Sequence, residues 1–338
     1  MRNAKEPSPV VLCYPGVKMN AIKKAWVFVI VGAICLGAAA CQRGGQTTSS
    51  QPRVALVLKT LNNPFFIDMQ KGAEEAAQKA GLQLTVQAAE REVDVEKQMQ
   101  IIENLIQSKV AALCVTPSGS KEIVPAIVKA NRAGIPVVIL DTRVHAQTLL
   151  DAGGKAASFI GSDNFEGGRL AGEFVAKKLG GKGQVAILEG IPGHETGDSR
   201  LKGFHTAVDS QPGIQIVASQ TANWERDQGY SVFQNILQAH PQVVALFACS
   251  DLMALGAVEA IAAAGKTGKI TVVGFDAFSE AREAVLKGVM DATIAQFPAE
   301  MGRLALENAA RLLNGEKVQE ETAVRIELIT KENAVVRK

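Results

Sequence analysis

Aromatic residues are scarce. Phe, Tyr and Trp make up 5% of the 338 residues, so each is a candidate for a specific task. Cysteine is scarcer still. Of five, Cys13 and Cys35 lie near the N-terminus and Cys41 directly after an apolar run, which leaves only Cys114 and Cys249 in the body. Each of these two ends an apolar stretch, ALCV and LFAC, and buried free thiols are expected rather than a disulfide or a metal site. No excess of one charge is present. The formal net charge is +2, and residues 1–41 alone carry +4, so the remainder is slightly acidic at −2. That balance excludes nucleic acid as a partner, which needs a dense basic face.

Several catalytic signatures are missing as well. No GxGxxG follows the first apolar run, no GxxxxGK[ST] phosphate loop occurs, and there is no GxSxG elbow. The Gly-rich LGGKGQV at 179–185 precedes a strand, the wrong order for a helix N-terminus to meet phosphate. The four His, at 145, 194, 205 and 240, lack metal-ligand spacing and are read as surface or structural. No cofactor or metal is expected, and nothing beside the carboxylates supplies a nucleophile, so an enzyme is not expected.

The N-terminus reads as a targeting segment. Lys23-Lys24 precedes the 16-residue run AWVFVIVGAICLGAAA, too short for a membrane span, and then Cys41. Ala38-Ala39-Ala40-Cys41 resembles a bacterial lipobox without its usual Leu, so lipidation at Cys41 is expected, with ordinary cleavage as the alternative. Met19 is a more natural start than Met1. Residues 1–40 are then a leader and 41–52, containing QRGGQTTSSQP, a polar tether. The product is then expected to be exported to the periplasm or cell surface.

From Arg53 on, short apolar runs alternate with helical patterns. Strands are expected at 54–58, 82–87, 110–115, 135–140, 158–161, 184–188, 214–219, 243–248, 270–275 and 292–296. Near-continuous apolar strands separated by amphipathic helices indicate an α/β fold with parallel sheets covered on both faces. IENLIQSKVAALCVT at 102–116 echoes FQNILQAHPQVVALFACS at 233–250, with Asn104 and Asn235 131 residues apart. Either any two such units look alike, or the chain has two similar doubly wound lobes.

In open parallel sheets ligands sit beyond the carboxyl ends of the strands. Those ends hold Lys59, Asn63, Thr116, Asp141, Arg200, Ser250, Asp276 and Gln296, together with Phe65, Phe66 and Trp224. Sugars need this mixture. Hydroxyls donate and accept at once, so carboxylates, amides and guanidinium groups suit them, while the apolar C–H faces pack on aromatic rings. Trp224 reads either as a sugar platform or as a core cap at a helix start. In LKTLNNPFF, Pro64 biases Asn63 toward an extended backbone that aims its amide at ligand hydroxyls, and Phe65 and Phe66 read as ring contacts or as core anchors.

VLKTLNNPFFIDMQKGAEE, ILD at 139–141, GSDNFEGGRLAGEFVAKKLG, RLKGF at 200–204, VASQTANWERDQGY, VVGFDAFSEAREAV and ATIAQFPAEMG closely resemble the ribose- and allose-binding proteins of bacterial sugar import. The resemblance runs from about Arg53 to the end. It implies the type I periplasmic binding fold, two lobes joined by three crossovers near 162–163, 296–297 and 325–326. The lobes would be 53–162 plus 297–325 and 163–296 plus 326–338. It implies a monosaccharide held in the cleft by Lys59, Asn63, Phe65, Phe66, Thr116 and Asp141 on one lobe, and Arg200, Trp224, Ser250, Asp276 and Gln296 on the other. It also implies a monomer that delivers its ligand to an ABC permease, or alternatively presents it to a chemoreceptor or sensor kinase. Ribose binders carry Ser where Lys59 stands, whereas allose binders carry Lys. The ribose binders' Asn and Arg are Thr116 and Thr142, with Arg143 as a substitute for the latter. A hexose such as allose, a ketohexose or a cyclitol then fits as well as ribose.

Overall fold

The strand β1 (Arg53–Leu58) reads RVALVL and buries five of its six residues, as a strand covered on both faces must. The computed structural model describes residues 51–335, and the expected leader, Cys41 and most of the tether lie outside them. Among the described residues no helix is long and apolar enough to cross a membrane.

The next strands are β2 (Gln83–Ala88), β3 (Ala112–Val115), β4 (Val137–Leu140) and β5 (Ser158–Ser162). They form a parallel sheet in the order β5-β4-β3-β1-β2. A second set follows: β6 (Lys182–Glu189), β7 (Gly213–Thr221), β8 (Val243–Ala248), β9 (Thr271–Asp276) and β10 (Ala292–Ala295). Their order, β10-β9-β8-β6-β7, repeats the first. The echo between 102–116 and 233–250 therefore reflects two sheets of one topology.

All ten expected strands form, with ends shifted by a few residues. Two were not anticipated. β11 (Glu321–Val324) adds to β5 in parallel, and β12 (Glu327–Thr330) adds to β10 antiparallel. Both are four-residue edge strands with exposed glutamates, so neither carries a continuous apolar run.

Helices cover both sheets: α1 (Pro64–Ala80), α2 (Val95–Gln107), α3 (Val124–Arg132), α4 (Ala146–Asp151), α5 (Asn164–Lys178), α6 (Glu195–Val208), α7 (Arg226–Ala239), α8 (Asp251–Ala263), α9 (Ser279–Lys287) and α10 (Pro298–Leu313). Asn63 caps α1, Pro64 opens it, and Gly81 at φ +66° ends it. Its apolar stripe, from Phe65 and Phe66 through Met69 to Ala77, enters the core beneath the first sheet. The chain passes between the sheets three times. After β5, α5 packs on α6 and the second sheet; after β10, α10 returns to α1 and the first sheet; β11 and β12 make the third passage. The α5–α6 crossing is close. A Cβ on Gly168 would lie 1.9 Å from the Arg200 carbonyl oxygen, so only glycine lets α5 hold α6, and with it Arg200, in place.

Candidate functional site

Ten of the eleven expected residues converge on one small cavity between the carboxyl ends of the two sheets. Lys59, Asn63, Phe65, Phe66 and Asp141 come from the first sheet's side, and Arg200, Trp224, Ser250, Asp276 and Gln296 from the second's. Thr116 does not join them. It is wholly buried at the end of β3, its hydroxyl lies 3.5 Å from Met69 Sδ, and its carbonyl accepts from Gln98 Nε2 at 2.8 Å. Its packing on Met69 places the side chain in the core. Arg143 is elsewhere too: it pairs with Glu321 and stacks 3.8 Å over Phe159, so it does not stand in at Thr142.

Two lining residues were missed, Glu92 and Thr196. Thr196 belongs to a strand-end segment. Glu92 follows β2, and the strand-end rule would have found it had it been applied there.

On the first side, Lys59 is only 2% exposed. Its Nζ stands 3.5 Å from Glu92 Oε2, 3.6 Å from Asp141 Oδ2, and 5.8 Å from the Phe66 ring centre. Thr142 Oγ1 donates to Asp141 Oδ2 at 2.8 Å. Asn63 has two tasks. Its Oδ1 accepts from the Phe65 amide at 3.0 Å, capping α1, and its Nδ2 donates to Glu92 Oε1 at 3.1 Å. The amide is therefore aimed at Glu92 as well as toward the cavity. Burial pushes the Glu92 carboxyl up, while Lys59 and Asn63 pull it back. Phe65 and Phe66 meet edge to face at 5.3 Å, buried in the core and lining the cavity at once.

On the second side, Arg200 is 4% exposed and held through Nε and Nη1. Its Nε donates to Asn164 Oδ1 at 2.8 Å, Nη1 donates to the Cys249 carbonyl at 2.7 Å, and Nη1 stands 3.8 Å from Asp276 Oδ1. The guanidinium lies 3.7 Å from the Phe275 ring centre. Gln296 Nε2 donates to Asp276 Oδ1 at 2.8 Å, which leaves its buried Oε1 without a protein partner. Ser250 Oγ caps α8 by accepting from the Met253 amide at 3.4 Å. Asp276 titrates above the usual carboxylate range because burial outweighs Arg200 and Gln296, and the buried Asp251 is raised likewise.

Trp224 has two surroundings. It packs in the core of the second sheet and lines the cavity. Its backbone is at φ +66°, and its ring occupies the space where a Cβ on Gly190 would sit, 1.9 Å from the ring. Burial holds the thiols of Cys114 and Cys249 in the protonated form, both pushed up to about 12.

Three carboxylates, two cations and two amides thus ring a small space with aromatic walls. Buried charges are costly unless hydrogen-bonded, and a polyol supplies both the donors that carboxylates need and the acceptors that Lys and Arg need.

The comparisons with known proteins agree with this geometry. Residues 54–317 match the periplasmic binding protein domain model. The chain is 40% identical over 277 residues to the ribose import binding protein of Bacillus subtilis, covering 82% of this chain and 87% of that one. It is 39% identical over 254 residues to the D-allose-binding periplasmic protein of Escherichia coli, covering 75% and 82%. A solved ABC transporter periplasmic solute binding protein from Actinobacillus succinogenes, with bound D-allose, superposes with a TM-score of 0.80 at 43% identity, covering 84% of this chain and 99% of that chain. With two like parallel sheets facing each other across a polar, aromatic-walled cavity, the chain belongs to the periplasmic binding protein family.

Proposed function

We propose that the chain captures one monosaccharide in this cavity and hands it to a membrane permease of an ABC-type sugar importer. It is a binding component and not an enzyme. The carrying observation is the paired placement of Lys59 with Asp141 on one wall and Arg200 with Asp276 on the other, 3.6 and 3.8 Å apart, around one cavity lined from both sheets. A sugar bridging the two walls binds the closed form better than the open one and so shifts the population to closure. The lobes are 53–162 plus 297–325 and 163–296 plus 326–338, with the three passages between sheets as the hinge. The ligand is a hexose such as allose or a ribose-like sugar; Lys59, the residue type that allose binders carry at this place, supports the hexose. Asn63, Glu92 and the aromatic residues complete the contacts.

The finer readings go with this. Cys41 carries the lipid that anchors an exported monomer, and labelled fatty acid incorporated by the wild type but not by Cys41→Ser is the check.

The decisive experiment is a thermal shift with D-ribose, D-allose, D-tagatose and myo-inositol. A true ligand at 100 times its Kd stabilises the fold by about 2.7 kcal/mol. No shift with any of them, and no heat on calorimetric titration, would sink the proposal.

A further inference from the structure

His194 lies just before α6, outside the cavity lining, yet it is only 3% exposed. It touches both sides of the cleft. One ring nitrogen, Nε2, is 2.7 Å from the Ser118 carbonyl oxygen, on the first sheet's side. The other, Nδ1, is 3.4 Å from Trp224 Nε1, on the second's. A carbonyl only accepts and an indole N–H only donates. The partners therefore fix the ring as the neutral tautomer with its proton on Nε2. A second proton on Nδ1 would face the indole N–H and break that contact.

The Ser118 end is held rigidly. Gln98 is fully buried, accepts from the Ser118 amide at 2.8 Å, and donates to the carbonyls of Thr116 at 2.8 Å and Leu58 at 3.2 Å. A neighbouring contact, the Glu195 amide donating to Ser120 Oγ at 3.4 Å, crosses the cleft in the same place. On the other end, the Trp224 ring is already pressed on Gly190. His194 thus ties the ring that walls the cavity to the backbone of the facing side.

We infer that His194 is a positioning residue for sugar capture: its neutral imidazole holds Trp224 on the cavity wall and latches the cleft shut on the Ser118 carbonyl. This rests on the capture reading above. Capture then depends on pH. Burial, with Lys59 adding to it, holds the closed-cleft imidazole down at about 3. In an open cleft the ring is exposed to water and takes the ordinary value of about 6.5. A group depressed by closure favours closure above its open-state value, and that contribution is lost as pH falls below it. Other charged or titratable groups on the elements touching the ring are Glu195, Asp198, Arg200, Lys202 and His205 on α6, Lys121 and Glu122 beyond Ser120, and Glu225 beside Trp224. Of these, Lys121, Glu122, Asp198 and Lys202 are exposed.

The test is calorimetric titration with D-ribose, D-allose, D-tagatose and myo-inositol at pH 7.5 and pH 5, on the wild type, His194→Phe and His194→Gln. Wild-type affinity should fall up to about 30-fold between the two pH values, one proton being released on closure. His194→Phe, which loses both bonds, should bind more weakly at pH 7.5. His194→Gln, whose amide donates with one end and accepts with the other, should recover part of that loss with a flatter pH profile. Asp276 also titrates upward of its usual range, so the reading taken is the difference between wild type and His194→Gln. Tight binding at pH 7.5 with an identical pH profile in both overturns the latch and leaves sugar capture standing. No binding of any of the four sugars at pH 7.5 overturns both.

Discussion

Asp141 and Asp276 occupy matching places in the two sheets: Asp141 follows β4 and Asp276 ends β9, and both hold positive φ, +59° and +119°. Such backbone is uncommon outside glycine and clusters at functional sites. Each carboxylate also faces one buried cation, Lys59 or Arg200. The two halves of the molecule present the same device to the cavity, one from each wall.

Asp276→Asn should separate stability from binding. Burial raises the Asp276 carboxyl, so it favours the fold when protonated, and that contribution is lost as pH rises through its folded-state value. The amide removes this penalty. The sugar-free melting temperature of the variant should therefore rise relative to wild type at pH 8 more than at pH 5, while sugar affinity falls tenfold or more, about 1.4 kcal/mol. A melting temperature lowered at pH 8 would show an ionised, stabilising Asp276 instead.

Lys59→Met tests the other wall. Without the ammonium, Glu92 and Asp141 face each other buried, and the Glu92 carboxyl, already raised by burial, moves further up. Its stabilising contribution is complete below the unfolded-state value and lost as pH rises through the folded one. The variant should lose about 3 kcal/mol or more at pH 8, and recover much of it near pH 4.5, by denaturant titration. Equal losses at both pH values would mean that Glu92 does not carry the effect. Lys59→Ser on the same wall should change the ratio of D-allose to D-ribose affinity if Lys59 sets ring preference.

Gly190→Ala places a methyl where the Trp224 ring lies, at a Cβ distance of 1.9 Å. Overpacking of this kind costs about 1–3 kcal/mol. Loss of both stability and sugar affinity is expected, read by melting temperature and calorimetry. Unchanged affinity would show that Trp224 does not wall the ligand.

Thr116→Val should leave affinity within about 0.5 kcal/mol of wild type, because the hydroxyl meets Met69 rather than the cavity. A large loss of affinity would return Thr116 to the site.

The order of apolar runs from Val54 to Ala295 determined the fold class, because strands buried on both faces leave uninterrupted apolar signatures. The rule that ligands meet strand ends then picked out ten of the cavity's lining residues before any contact was known. The apolar runs did not reveal β11 and β12, short edge strands with no apolar signature that pair on the open edges of β5 and β10. The strand-end rule included Thr116, since sequence gives a position at a strand end but not which way the side chain turns; packing on Met69 decides that.

Glu92 and His194 show the same boundary from the other side. Neither carries a motif. Glu92 becomes part of the site because Asn63 and Lys59, 29 and 33 residues away in the chain, converge on its carboxylate. His194 reads as one of four unremarkable histidines until folding sets it 2.7 Å from a carbonyl 76 residues away. The sequence by itself determined the elements, their order and the chemistry at their ends, because these follow from local periodicity and residue type. Only the tertiary structure decided which of those groups meet across the cleft, because burial, pairing and protonation state depend on distances that no local pattern encodes.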